Sequence, residues 1–129
     1  MSENIASVMP FAAAMGVEIT EASSEKIVGT LTVRSDLCTA GHILHGGAIM
    51  AFADALGAIG AFFNLPEGSQ GTSTIESKTN FIGPAREGSV VTGISKPLHA
   101  GKSTSVWQTD ILREDGSMVA VVTQTQIVR

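Results

Sequence analysis

The stretch from Gly46 to Phe63 constrains this chain more than any other. It holds no proline and no polar cluster, and its one charge is Asp54. Bounded by His45-Gly46-Gly47 and by Asn64-Leu65-Pro66-Glu67-Gly68, it reads as one helix of about four to five turns at 3.6 residues per turn. Its length approaches a bilayer span, but a mid-helix aspartate among many Gly and Ala residues points to a buried core helix, so no membrane partner is expected. The rest of the chain must then cover it.

Strand candidates supply the cover. Asn4 to Ala14 has helical spacing, Gly16 opens two alternating segments, Val17 to Ala22 and Lys26 to Val33, and a turn-rich loop, Arg34 to Leu44, leads into the long helix. Beyond it come Thr72 to Phe81, Ser89 to His99, Ser103 to Arg113 and Met118 to Val128, the last three separated by short turns and hence an antiparallel meander. Plain alternation sets Thr74, Glu76, Lys78 and Asn80 on one strand face. The expected class is α+β, in one domain over residues 1–129.

Eight basic against twelve acidic residues, with no basic stripe, disfavour nucleic acid as a partner. Cys38 is the only cysteine, so no intramolecular disulfide forms, and it reads as a small apolar residue. The apolar segment Ile5 to Met15 follows Glu3, has no Lys or Arg before it and contains Pro10, which disfavours a signal peptide; the expected location is cytoplasmic.

At about 100° per residue, Ile49, Phe52, Leu56, Ile59 and Phe63 share the helix face opposite Asp54, as a core anchor. The stripe of Asp54 is almost all small: Gly47, Ala51, Gly57, Ala58 and Ala61, with Met50. A carboxylate there costs several kcal/mol if buried unpaired, so it is solvated, paired with a neighbouring chain segment, or set in a pocket for a polar ligand. At the helix start, His45-Gly46-Gly47 leaves free N–H groups that a ligand carrying partial negative charge can approach closely. Gly46 and Asp54 lie about 12 Å apart along one helix at 1.5 Å per residue, too far for one carbonyl to touch both. If they act together they come from two subunits, which predicts an obligate dimer with the small-residue stripe facing partner and ligand.

His45-Gly46-Gly47-Ala48-Ile49-Met50-Ala51-Phe52-Ala53-Asp54, with Thr74 and Asn80-Phe81-Ile82-Gly83-Pro84-Ala85 downstream, resembles a hotdog-fold acyl-CoA thioesterase of the PaaI-like branch, from about Leu37 to the C-terminus. The resemblance implies a curved antiparallel sheet wrapped around one central helix, two units joined into a continuous sheet, and dimers that often pair further into tetramers. It implies hydrolysis of acyl-CoA without a cofactor. In it Asp54 is nucleophile or general base, the Gly46 N–H polarises the thioester carbonyl, His45 helps hold that loop and Thr74 assists the carboxylate or its water. Such chemistry needs a base or nucleophile on one side and an oxyanion stabiliser on the other. The family's usual Asn or Gln six residues before the His-Gly-Gly histidine is Thr39 here, and the usual Gly three before it is His42; either Thr39 or His42 stands in for the amide. Gly47 joins the substrate-binding set, and Arg86 and Lys102 are candidates for the CoA phosphates.

Other chemistries fit less well. His42, His45 and Asp54 lack metal-ligand spacing, so no metal is expected. Nothing sets a base beside Cys38 for a Cys-His hydrolase. Glu76 is a rival acid on the Thr74 face. A hotdog hydratase or dehydratase needs a histidine-acid motif that is not seen, and a non-catalytic acyl-CoA-binding module has no need of Asp54.

Overall fold

The computed structural model describes residues 5–129, with side chains from Ala6 onward; Asn4, where the first helix was expected to begin, lies outside the described residues. That expected helix is two pieces, a 3-10 turn at Ile5–Val8 and helix α1 at Pro10–Met15. Pro10 explains the break: it lacks an N–H and is tolerated only in a first turn. Gly16, at φ 88°, ends α1 in the left-handed region.

Strands β1 (Glu18–Ala22) and β2 (Ile27–Thr32) follow. The expected loop contains a 3-10 turn, Ser35–Leu37, and a two-residue hairpin, β3 (Cys38–Thr39) with β4 (Ile43–Leu44). Helix α2 runs Gly46–Phe63, and β5 (Thr72–Phe81), β6 (Val90–Ala100), β7 (Thr104–Leu112) and β8 (Met118–Val128) complete the chain. One six-stranded sheet has the order β1-β2-β6-β7-β8-β5 with every pairing antiparallel. The meander β6-β7-β8 stands as expected, and β5 returns to pair beyond β8 as an edge strand.

The sheet covers α2. Phe52 and Leu56 are fully buried and Ile49 and Ile59 nearly so, each stabilising the fold by roughly 1.5–3 kcal/mol. Phe63 departs from the expected core face: it is the last helical residue, 43% exposed, and its ring meets Phe62 edge-on instead of entering the sheet. The small residues also divide differently from the expected single stripe. Gly57 and Ala61 are buried; a Cβ on Gly57 would strike the Gln124 side chain, and one on Gly60 would come within 2.5 Å of the Trp107 ring. Those glycines let helix and sheet approach, while Gly47 and Met50 of the stripe stay exposed and Ala51 and Ala58 half-buried.

The register of β5 against β8 carries the consequence for function. Thr74 pairs Gln126, but Glu76 pairs Thr125, so Ile75 is an extra residue in a β-bulge. On β8, Ala120, Val122, Gln124 and Gln126 are buried toward α2 while Val121, Thr123, Thr125 and Ile127 face outward. Directly paired residues share a face. Thr74, Ser77, Thr79 and Phe81 therefore face the helix, and Glu76, Lys78 and Asn80 face away from it. This overturns the plain alternation that put Thr74, Glu76, Lys78 and Asn80 together.

Candidate active site

Asp54 sits half-buried at the middle of α2, one side of the helix already committed to the sheet. The bulge turns Thr74 inward, and its hydroxyl donates to Asp54 Oδ1 at 2.7 Å. Behind Thr74 lies the fully buried Gln126, whose Nε2 donates to Thr74 Oγ1; the Thr72 hydroxyl meets Gln126 Oε1 at 3.0 Å. No partner meets Asp54 Oδ2 among the described residues. In front, Asp54 opens into a cleft of about 210 Å³ walled by Ala51 and Ala55 of α2 and by Met9, Pro10, Phe11 and Ala12. The carboxylate is therefore held by one oxygen and presented by the other.

Glu76 is excluded as the rival acid by the same bulge. Its carboxylate lies on the outer face, accepting from Thr125 Oγ1 at 2.7 Å.

The start of α2 forms a second feature. His45 is the N-cap, and its Nδ1 accepts from the Gly47 N–H at 2.7 Å, so that nitrogen carries no proton and the ring buttresses the turn. Among the described residues no acceptor meets the Gly46 N–H. Gly46 lines a cleft of about 380 Å³ with Thr39, Ile43, Phe81 and Pro84. A Cβ on Gly46 would lie 3.2 Å from the Phe81 ring. This cleft shares no lining residue with that of Asp54.

The remaining candidates scatter. Thr39 stays beside Gly46, whereas His42, at φ 59°, turns its exposed ring to Glu87 at 3.0 Å and lines neither cleft. Gly47, His45 and Cys38 border a third cleft with Phe11. Partial burial, then the Glu87 and Asp36 carboxylates, push the Cys38 thiol up, away from the thiolate a nucleophile needs. Arg86 precedes β6 and Lys102 follows it, so eleven strand residues, about 36 Å at 3.3 Å each, separate them on one chain. Among the described residues no three His, Cys, Asp or Glu side chains group as a metal site.

Sequence reasoning missed Gln126, Thr72 and the Met9–Ala12 wall. The β8 residues Thr123-Gln124-Thr125-Gln126 are polar on both faces, so alternation within them offered no sign of which amides turn inward.

Residues 41–120 match the thioesterase superfamily. The chain is 38% identical over 76 residues to 1,4-dihydroxy-2-naphthoyl-CoA hydrolase of Escherichia coli, covering 59% of this chain and 54% of that protein. A crystal structure of a thioesterase from Haemophilus influenzae superposes with a TM-score of 0.85 at 28% identity, covering 92% of this chain and 82% of that one. The PaaI protein from the phenylacetic acid degradation operon of E. coli shares the fold, with a TM-score of 0.84 at 22% identity over 95% of this chain and 88% of its own.

Proposed function

Since the chain belongs to the thioesterase superfamily, we propose that it hydrolyses acyl-CoA thioesters at a site shared between two subunits, with Asp54 of one and the Gly46 N–H of the other. The observation that carries this reading is the Thr74–Asp54 hydrogen bond, which holds Oδ1 and leaves Oδ2 to react. Two courses use the same atoms. Oδ2 attacks the carbonyl carbon, the C–S bond breaks and water then hydrolyses the mixed anhydride; or Oδ2 takes a proton from water as its oxygen attacks. In both, the carbonyl oxygen becomes anionic against the Gly46 N–H, and CoA leaves as a thiolate that takes up a proton.

The separate clefts support a composite site, and β5 suggests how it assembles. Among the described residues no strand lies beside its outer edge, and Ile75, Phe81 and Ile82 are 53%, 56% and 60% exposed. Gly46 lies by the Phe81 end of β5 and Asp54 by the Thr74 end. Antiparallel self-pairing of β5 exchanges these ends, so each Asp54 receives the partner's helix start. The pleat requires outward residues to oppose outward residues, which centres the two-fold axis on a residue. A centre at Lys78 sets two ammonium groups face to face, whereas a centre at Ser77 sets Glu76 opposite the partner subunit's Lys78, twice. The Ser77 register is the one we adopt. Lys102 of one subunit and Arg86 of the other then border the same site, where CoA phosphates would lie.

The test is free-thiol release from a panel of acyl-CoAs that includes 1,4-dihydroxy-2-naphthoyl-CoA, the substrate in the E. coli relative's name. Wild type should turn over at least one, and Asp54→Asn should lose at least about a hundredfold, the scale of a general base or nucleophile. No turnover across the panel, or full rate in Asp54→Asn, overturns the reading and favours a binding module. Heterodimers of Asp54→Ala with Gly46→Pro should recover part of the rate, because one of their two sites is intact.

A further inference from the structure

We propose that Gln126 is a positioning residue that fixes the direction of the Thr74 hydroxyl, and through it which oxygen of Asp54 reacts; this rests on Asp54 being the reacting carboxylate. Thr74 has one hydroxyl proton and two polar neighbours, Asp54 Oδ1 and the Gln126 amide. An ionised carboxylate can only accept. The Thr74 proton therefore goes to Asp54, and what faces Thr74 from behind must be a donor. Gln126 meets this with Nε2, and its Oε1 then lies against the Thr72 hydroxyl at 3.0 Å, itself within 3.0 Å of the Ile127 carbonyl. Reversing the amide would give Thr74 two acceptors for one proton, one of them the Asp54 carboxylate. In the orientation present the single Thr72 proton is shared instead between two neutral acceptors, Gln126 Oε1 and the Ile127 carbonyl, which is the weaker conflict.

The chain of donors is Thr72 to Gln126 to Thr74 to Asp54. Gln126 is 0% exposed, so no water replaces it, and a buried amide so placed carries a desolvation cost that only full pairing offsets. Its neighbour Gln124 is different: Nε2 meets the Ala53 carbonyl at 3.4 Å and Oε1 has no partner among the described residues, so it belongs to helix–sheet packing and not to the chain of donors. Gln126 touches no reacting atom; its effect passes through Thr74.

The variant that isolates this is Gln126→Met, close in volume without donor or acceptor. With an acyl-CoA that wild type hydrolyses, kcat should fall about tenfold, the equivalent of one hydrogen bond's worth of barrier, with KM within twofold. Gln126→Glu should fall further, because a carboxylate behind Thr74 draws its proton away from Asp54. Thr74→Val should lose as much as Gln126→Met, and the double variant no more than Thr74→Val alone, whereas a merely structural glutamine would multiply the two losses. Unchanged kcat in Gln126→Met, or multiplied losses, overturns the proposal while leaving Asp54 in place if Asp54→Asn is inactive. A readout independent of turnover is the Gln126 side-chain amide NMR signal: Asp54→Asn should move it in wild type and leave it unmoved in a Thr74→Val background. If Asp54→Asn does not move it in the wild-type background, the relay is absent whatever the enzyme hydrolyses.

Discussion

At the scale of single residues, the helix is built by what glycine omits. Gly57 faces Gln124 and Gly60 faces Trp107, so the backbone of α2 rests nearly on the sheet. Gly57→Ala should cost about 1–3 kcal/mol by overpacking, read as a lower urea midpoint, because the fully buried Gln124 side chain must move to admit the methyl group. A midpoint equal to wild type would mean that Gln124 has another rotamer. Surface residues obey simpler electrostatics. The Ser117 hydroxyl and then its backbone N–H hold the Asp115 carboxyl below its usual range. A depressed folded value means stabilisation that is present above the unfolded carboxylate range and lost as pH falls through the folded one. Asp115→Asn should therefore lower Tm near neutral pH, with the difference shrinking as the pH drops through the carboxylate range; a constant difference would refute the sign. Of these residues the sequence made Gly57 readable as small and Asp54 as the lone charge, but not why Gly57 is small, since its reason sits on a strand 67 positions later.

At the scale of elements, the long helix, its limits and the meander were readable because their signals are local: an unbroken apolar run, a glycine start, and turn residues between strands. The bulge at Ile75 was not. Thr72 to Phe81 is polar on both faces, so nothing in the strand itself marks where the alternation slips; the slip is defined only by the pairing with β8. Yet that one residue separates Thr74 from Glu76, giving the site its hydroxyl and removing a competing carboxylate. Deleting Ile75 removes only the unpaired residue: Thr74 stays opposite Gln126 and Glu76 opposite the adjacent Thr125. The alternation becomes regular with Thr74 still on the Asp54 face, and thioesterase turnover should stay within a few-fold of wild type. Far-ultraviolet circular dichroism should be unchanged. A loss of about a hundredfold would show that the bulged backbone itself, and not the pairing with Gln126, aims Thr74.

At the scale of the whole molecule, one chain presents a carboxylate in one cleft and an unfilled N–H in another. The 12 Å separation was available from helical rise alone, which is why a shared site could be expected before any fold was seen; the edge that would join the halves could not, since it depends on β5 lying outermost beyond β8. An edge strand with exposed apolar residues invites pairing, and its charges decide the register. In the Ser77-centred pairing Lys78→Glu sets two carboxylates opposite each other at both symmetric positions. With up to about 1 kcal/mol per pair, the dimer dissociation constant should rise as much as about thirtyfold, measured by sedimentation velocity. Adding Glu76→Lys to the same chain restores opposite charges at both positions and should restore the dimer, and activity should follow dimer content through the series because neither side chain faces Asp54. A dimer indifferent to Lys78→Glu, or one that the second exchange does not rescue, would place the two-fold axis elsewhere and separate Asp54 from the helix start it needs.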